Sequence, residues 1–170
     1  MFLRVATTSL LGCIFLAIPA VLAADHGPST AEERKQALTI IRRYQADPFN
    51  VELQPQVQWV AQWTRDVPDI RLDLCMSFYK LDKAKKADGA ALFTAMLLAQ
   101  TALVLENPER RNDGIAQVQA GVEGMLHFYA LLLKANSHDR QPYLDKLIKQ
   151  RDAGTLTQFV KQHAPSACNN

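Results

Sequence analysis

The residues able to do chemistry in this chain are few and widely scattered. Its four histidines are His26, His127, His138 and His163, and only His127 lies within a helical turn of a carboxylate, Glu123. At i and i+4 on a helix these two share a face and could supply two ligands to a metal ion, but a metal site needs three or four convergent donors. No HExxH, paired ExxH, CxxC or CxxCH accompanies them. They read as a helix-surface ion pair first and as metal candidates second, and no cofactor is expected. Ser77 stands beside Cys75 without the glycine-flanked elbow that presents a nucleophilic serine. Asp66, Asp69 and Asp73 form carboxylate pairs of the kind that flank a glycosidic bond, although such residues also cap and solvate helix ends. No glycine-rich phosphate loop follows a strand, which speaks against nucleotide cofactors.

Binding residues stand out more than catalytic ones. Trp59 and Trp63 are four apart, so they stack on one helix face, where they serve either the core or a ligand. Gly121 and Gly124 interrupt a helical pattern, and each costs about 1 kcal/mol relative to alanine in a helix interior. Close approach of a neighbouring helix would offset that cost, and a ligand could use the same notch. These four residues are the ligand-binding candidates. Lys80, Lys83, Lys85 and Lys86 cluster near Phe78 and Tyr79, but Asp82 and Asp88 dilute the charge, so a solvated connector is expected there.

The N-terminus bears on where such a protein would work. Arg4 precedes an apolar run over residues 10–22, which ends in Val21-Leu22-Ala23-Ala24 before polar Asp25-His26. That order reads as a secretory signal cleaved after Ala23, giving a periplasmic or secreted protein. Leu10-Leu11-Gly12-Cys13 loosely resembles a lipobox, but the apolar run continues past the cysteine instead of ending there. Pro19 interrupts the run, which falls short of the ~20 apolar residues that span a bilayer. Removal of residues 1–23 leaves one basic group fewer than the 19 of the full chain, against 17 acidic ones. The remaining charge is +1, too small to draw the protein to nucleic acid. Two cysteines remain, Cys75 and Cys168, and in an oxidising compartment they are expected to form one disulfide.

The elements that must position these residues are helical. Ser29-Thr30-Ala31-Glu32-Glu33 offers overlapping capping boxes, and Ala37, Leu38, Ile41 and Tyr44 then recur at helical spacing as far as Asp47-Pro48. Pro55 suits the first turn of a second helix with Trp59, Val60, Trp63 and Val67 inward. Ile70, Leu72 and Leu74 alternate with Asp69, Arg71 and Asp73, the period of an extended segment. With no second strand of its quality it would have to lie along the helices. Residues 90–105 are apolar nearly all round, as a central helix is. Ile115, Val118, Val122, Met125, Tyr129 and Leu132 form a heptad seam after a cap at Asn112 or Asp113, and this predicts an antiparallel central hairpin with residues 90–105. Closing helices are predicted over 139–151 and 155–163, with Gly154 between them and a tail released at Pro165.

Paired helices with Asn-Pro at a turn look somewhat like tetratricopeptide units, and His127-Phe128-Tyr129-Ala130 resembles part of a second repeat helix. No 34-residue self-similarity and no tryptophan-leucine-glycine signature supports membership. The expected fold is therefore all-α, a single domain of five or six helices over residues 24–164, with a signal peptide at 1–23 and a tail at 165–170. The expected role is a non-enzymatic binding or protein-interaction module for a protein or small apolar ligand, with no nucleic acid and no stable membrane span in the mature chain. A small extracytoplasmic hydrolase or metal-dependent enzyme is the rival reading, favoured if Asp66, Asp69, Glu123 and His127 converge. An envelope-structural role is the third.

Overall fold

The computed structural model describes residues 26–80, 86–136 and 138–168. Residues 1–25, with Cys13 and the expected cleavage position after Ala23, lie outside these residues, as do Asp82, Lys83 and Lys85. Six α-helices make up an all-α domain: α1 (Ala31–Ala46), α2 (Gln54–Asp66), α3 (Lys86–Glu106), α4 (Gly114–Ala135), α5 (Pro142–Asp152) and α6 (Leu156–Ala167). Single 3-10 turns stand at Val51–Leu53, Met76–Phe78 and Pro108–Arg110, and there is no strand among the described residues.

The helix starts follow their local chemistry. Thr30 caps α1: its hydroxyl accepts from the Glu33 amide at 3.2 Å while the Glu33 carboxylate accepts from the Thr30 amide at 2.8 Å, so two otherwise orphaned donors are satisfied. Pro55 occupies the first turn of α2. Asp113 caps α4 by accepting from the Ala116 amide at 2.9 Å. Between α5 and α6 the backbone turns at Gly154 with φ of 70°, a region open to glycine at little cost.

The central element is α3. Leu92, Ala95, Met96, Leu98, Ala102 and Val104 are all buried although they point in different directions round its axis. It touches α1, α2 and α4, while α6 packs on α4 and α5. The stretch Gly89–Glu106 is long and apolar enough to cross a membrane by length and composition, and 56% of it is buried by its neighbours, as a core helix is. On α4 the seam residues Val118, Val122, Met125 and Tyr129 are buried, but Ile115 is 39% exposed, because the first turn of the helix looks onto an open cleft. Tyr129 fixes the start of α5. Its hydroxyl accepts from the Gln141 amide at 2.6 Å and donates to Asp145 Oδ1 at 2.9 Å. Burial pushes that hydroxyl up to about 12, so it stays protonated in this role.

The alternating segment forms no ladder, and two glutamine side chains stand in for the missing strand. Gln117 Oε1 accepts from the Asp73 amide at 2.8 Å, and Gln100 Nε2 donates to the Asp73 carbonyl at 3.2 Å. Gln117 Nε2 also donates to the Arg111 carbonyl at 2.7 Å. Both glutamines are 1% exposed; both polar atoms of Gln117 and the amide nitrogen of Gln100 are matched to backbone groups, while Gln100 Oε1 is buried without a partner.

At its C-terminal end the chain departs from the expected tail. Helix α6 runs through Pro165 to Ala167 instead of stopping at the proline, and the Cys168 amide bonds the Ala164 carbonyl at 3.0 Å. The continued helix delivers Cys168 to Cys75, with their sulfur atoms 2.09 Å and their Cα atoms 4.9 Å apart.

Candidate functional site

Among the concave regions left once the core is packed, which include a shallow basic one of about 670 Å³ along α1, two of more than 400 Å³ are lined mainly by apolar side chains. The larger one combines an apolar lining with exposed aromatic surface. The end of α1 contributes Tyr44, the following turn Pro48 and Phe49, α2 Val57 and Ala61, α3 Ala91, and the second half of α4 Phe128 and Leu132. These residues enclose a groove of about 600 Å³. Its wall is an aromatic series. Tyr44 and Phe128 lie parallel, with centroids 6.3 Å apart and planes within 1°, and Phe49 leans on Phe128 at 5.7 Å and 48°. Phe49 is 46% exposed and Val51 beside it 78% exposed, unusual positions for large apolar side chains unless something covers them.

The groove is held open by polar contacts behind its wall. His127 Nε2 donates to the Gln45 carbonyl at 2.9 Å, tying the end of α1 to α4, and the Tyr44 hydroxyl donates to the Ala91 carbonyl at 3.4 Å. Burial raises the Tyr44 hydroxyl to about 12, which keeps it a neutral donor. Among the described lining residues the polar groups are Tyr44, Gln54, Gln58 and Thr94, with no carboxylate, imidazole or thiol. Such a lining can bury an apolar body and hydrogen-bond one end of it.

The second region is a cleft of about 460 Å³ between the segment around Leu72 and Leu74, the first turns of α4 at Ile115 and Val118, and the end of α6 at Ala164 and Cys168. Leu74 at 44%, Met76 at 51% and Ile115 at 39% exposure make its surroundings the other apolar area of the surface.

The residues singled out from the sequence are not gathered by either region. Trp59 and Trp63 do stack, at 5.7 Å and 18°, but Trp63 is buried and Trp59 packs half-buried against the core. Gly121 and Gly124 face α3. A methyl at Gly121 would meet Met96 and Gln100, and one at Gly124 would overlap Ala99 and sit 2.9 Å from the Ala95 carbonyl oxygen. The notch is filled by a helix, although Gly124 also borders a space of about 40 Å³ behind Tyr44 and Phe128. Glu123 takes a hydrogen bond from Gln119 while His127 reaches Gln45, so the expected ion pair between them does not form. The physical reason is tertiary: the free carbonyl at the end of α1 is brought to His127 by packing.

The carboxylates of the hydrolytic reading are separated as well. Asp66 accepts from Gln62 at 2.8 and 2.9 Å. Asp69 accepts from the Ser29 amide at 2.8 Å, the Ser29 hydroxyl at 2.7 Å and Arg34 at 2.5 Å, which ties the start of α1 to the loop after α2. No group of three or more His, Cys, Asp or Glu side chains suited to a metal occurs among the described residues. The three arginines of α1 are likewise engaged: Arg34 with Asp69, Arg42 with Glu106, and Arg43 with Gln56 at 3.2 Å.

The Asp69 network makes stability depend on pH in the acid range. Partial burial works to raise this carboxyl, but the Ser29 and Arg34 donors outweigh it and bring it from 3.8 to about 2. A carboxyl depressed by folding stabilises fully above its unfolded value, and the contribution is lost as pH falls from about 4 through about 2. Because Arg34 is 34% exposed, the contribution is discounted to on the order of 1 kcal/mol. Asp69→Asn is expected to lower stability by that amount at pH 7 and to be nearly neutral at pH 2. Urea melts at the two pH values check this, and an equal loss at both would contradict it.

No family model matches the sequence, and no curated protein and no solved structure matches it either.

Proposed function

We propose that this is an exported, non-enzymatic binding protein whose aromatic groove takes a small apolar or aromatic ligand. The observation that supports this most is Phe49, held on Phe128 at the lip of a groove of about 600 Å³ and left 46% exposed. That volume lies within the ~300–1,000 Å³ of ordinary small-molecule sites. Gln54, Gln58 and Thr94 supply amide and hydroxyl groups for the polar end of the ligand.

The groove is tested with 1-anilinonaphthalene-8-sulfonate as an apolar probe. Saturable fluorescence enhancement is expected, with affinity weakened about tenfold by Phe49→Ala, which removes most of an aromatic contact. Ala61→Arg, which fills the groove, is expected to abolish it without changing the melting temperature. Equal binding by the Ala61→Arg protein would overturn the assignment. Export is supported by the charged, apolar and small-residue order of residues 1–24, and by two cysteines placed to bridge. The mass of the protein recovered from the periplasm or medium is expected to begin at Ala24, and a retained leader would refute the cleavage.

A further inference from the structure

Among the described residues, Arg71 and Arg111 are the arginines whose guanidinium groups have no hydrogen-bond or ion-pair partner. Beyond those of α1, Arg65 is engaged with Gln62, Arg110 with Asp113, Arg140 with Asp145 and Arg151 with Asp152. The unpartnered pair lines one polar pocket of about 260 Å³, together with Pro68, Asp69 and Asn112. The side-chain amide of Asn112 is likewise without a partner among the described residues. Asp69 is the carboxylate of the pocket, and its charge is already taken up by the Ser29 amide and hydroxyl and by Arg34. Asp113 is turned to the Ala116 amide and Arg110, and Asp73 stands against Gly114 beside the apolar cleft. Two guanidinium groups and one amide are left uncompensated around a single space.

The chain segments that carry these groups are fixed from the core. Gln117, 1% exposed, accepts from the Asp73 amide and donates to the Arg111 carbonyl, so one buried side chain fastens both segments. Arg71 stands between that anchor and the Asp69 network, and the Arg111 amide bonds the Pro108 carbonyl at 3.3 Å. We propose that this pocket binds a small tetrahedral dianion, a phosphate or sulfate group, gripped by Arg71 and Arg111 with Asn112 donating to a further oxygen. Planar guanidinium forks match such oxygens two at a time, and two cations that share a space repel until an anion lies between them. The volume is below the ~300–1,000 Å³ of ordinary small-molecule sites, which suits a compact charged group better than an apolar body. No lining residue is shared with the aromatic groove, so this site is separate from the one proposed for an apolar ligand.

Isothermal titration with sodium phosphate and with sodium sulfate, each against sodium chloride at equal ionic strength, tests the site and shows which of the two groups it prefers. Saturable binding of at least one is expected, with Kd of roughly 10 µM to 1 mM. Arg71→Ala and Arg111→Ala are each expected to weaken it about tenfold or more, since each removes a charge-assisted pair of hydrogen bonds. Both side chains are exposed and unpartnered, so the two variants should keep the wild-type circular dichroism melt in chloride. Arg65→Ala removes the same charge elsewhere on the surface and should leave the affinity unchanged. Ala61→Arg, which fills the aromatic groove, should leave it unchanged as well, so failure of the groove and failure of this site are told apart. Neither anion binding beyond the chloride control, full affinity in Arg71→Ala or Arg111→Ala, an equal loss in Arg65→Ala, or loss of binding in Ala61→Arg would each overturn the proposal.

Discussion

Removal of the Cys75–Cys168 bridge will lower the stability of the domain by about 4–5 kcal/mol, the largest effect of any change short of disrupting the core. The two residues are 93 positions apart, so an intact bridge withdraws a long loop from the unfolded ensemble, and the chain-entropy relation gives that magnitude. For a domain of this size it corresponds to a melting temperature lower by about 10 °C or more. The bridge also fastens the last turn of α6 to the loop that precedes the Met76–Phe78 turn. Cys75 is 2% exposed, so the comparison is best made with alanine at both positions, which leaves no buried hydroxyl. Urea denaturation of the double-alanine protein against the oxidised wild type measures the difference, and a loss below about 1 kcal/mol would show that the bridge does not constrain the unfolded chain as argued. Mass measurement before and after reduction, with a gain of two hydrogens by a monomer, establishes the bridge independently.

The second large effect is expected at Gly124. Replacing a helical glycine by alanine ordinarily gains about 1 kcal/mol of helix propensity. Here a methyl would overlap Ala99 and sit 2.9 Å from the Ala95 carbonyl oxygen, a backbone atom that cannot rotate away. Helices α3 and α4 would have to separate, and overpacking of that kind costs about 1–3 kcal/mol and more for larger side chains. Gly124→Ala is expected to be destabilising despite its propensity, and Gly124→Val to cost about 3 kcal/mol or more. Gly121 is the internal control. A methyl there meets the side chains of Met96 and Gln100, which can shift, so Gly121→Ala should cost less than Gly124→Ala. Thermal melts of the three variants give the order, and a stabilised Gly124→Ala protein would contradict the close approach of the helices.

The pattern of success and failure in the sequence follows the range of the interactions. The capping box at Thr30 and Glu33, the proline in the first turn of α2 and the Asp113 cap are decided within four residues, so they are legible without the fold. The all-apolar character of residues 90–105 likewise marks α3 as the central helix. Pro165 misled because a local stop signal was overridden: the last helix continues across it to bring Cys168 to Cys75. Asp73 and Gln117 lie 44 positions apart, and no local pattern announces that one supplies the missing strand partner of the other. Phe49 carries no signal in the sequence because an aromatic residue in a turn has no periodicity, and the spacing of Glu123 and His127 allows a pairing that packing replaces with separate partners.

By itself the sequence determined that the described chain is helical, where most of the helices begin, and which faces are apolar, because caps, prolines and the 3.6-residue period act over a turn or two of backbone. The tertiary structure alone decided that the tryptophans and glycines serve the core, that the acidic residues and His127 go to separate partners, and that Tyr44, Phe49 and Phe128 meet in one groove. A groove belongs to four helices and a turn at once, and the contacts that create it join residues far apart in the chain.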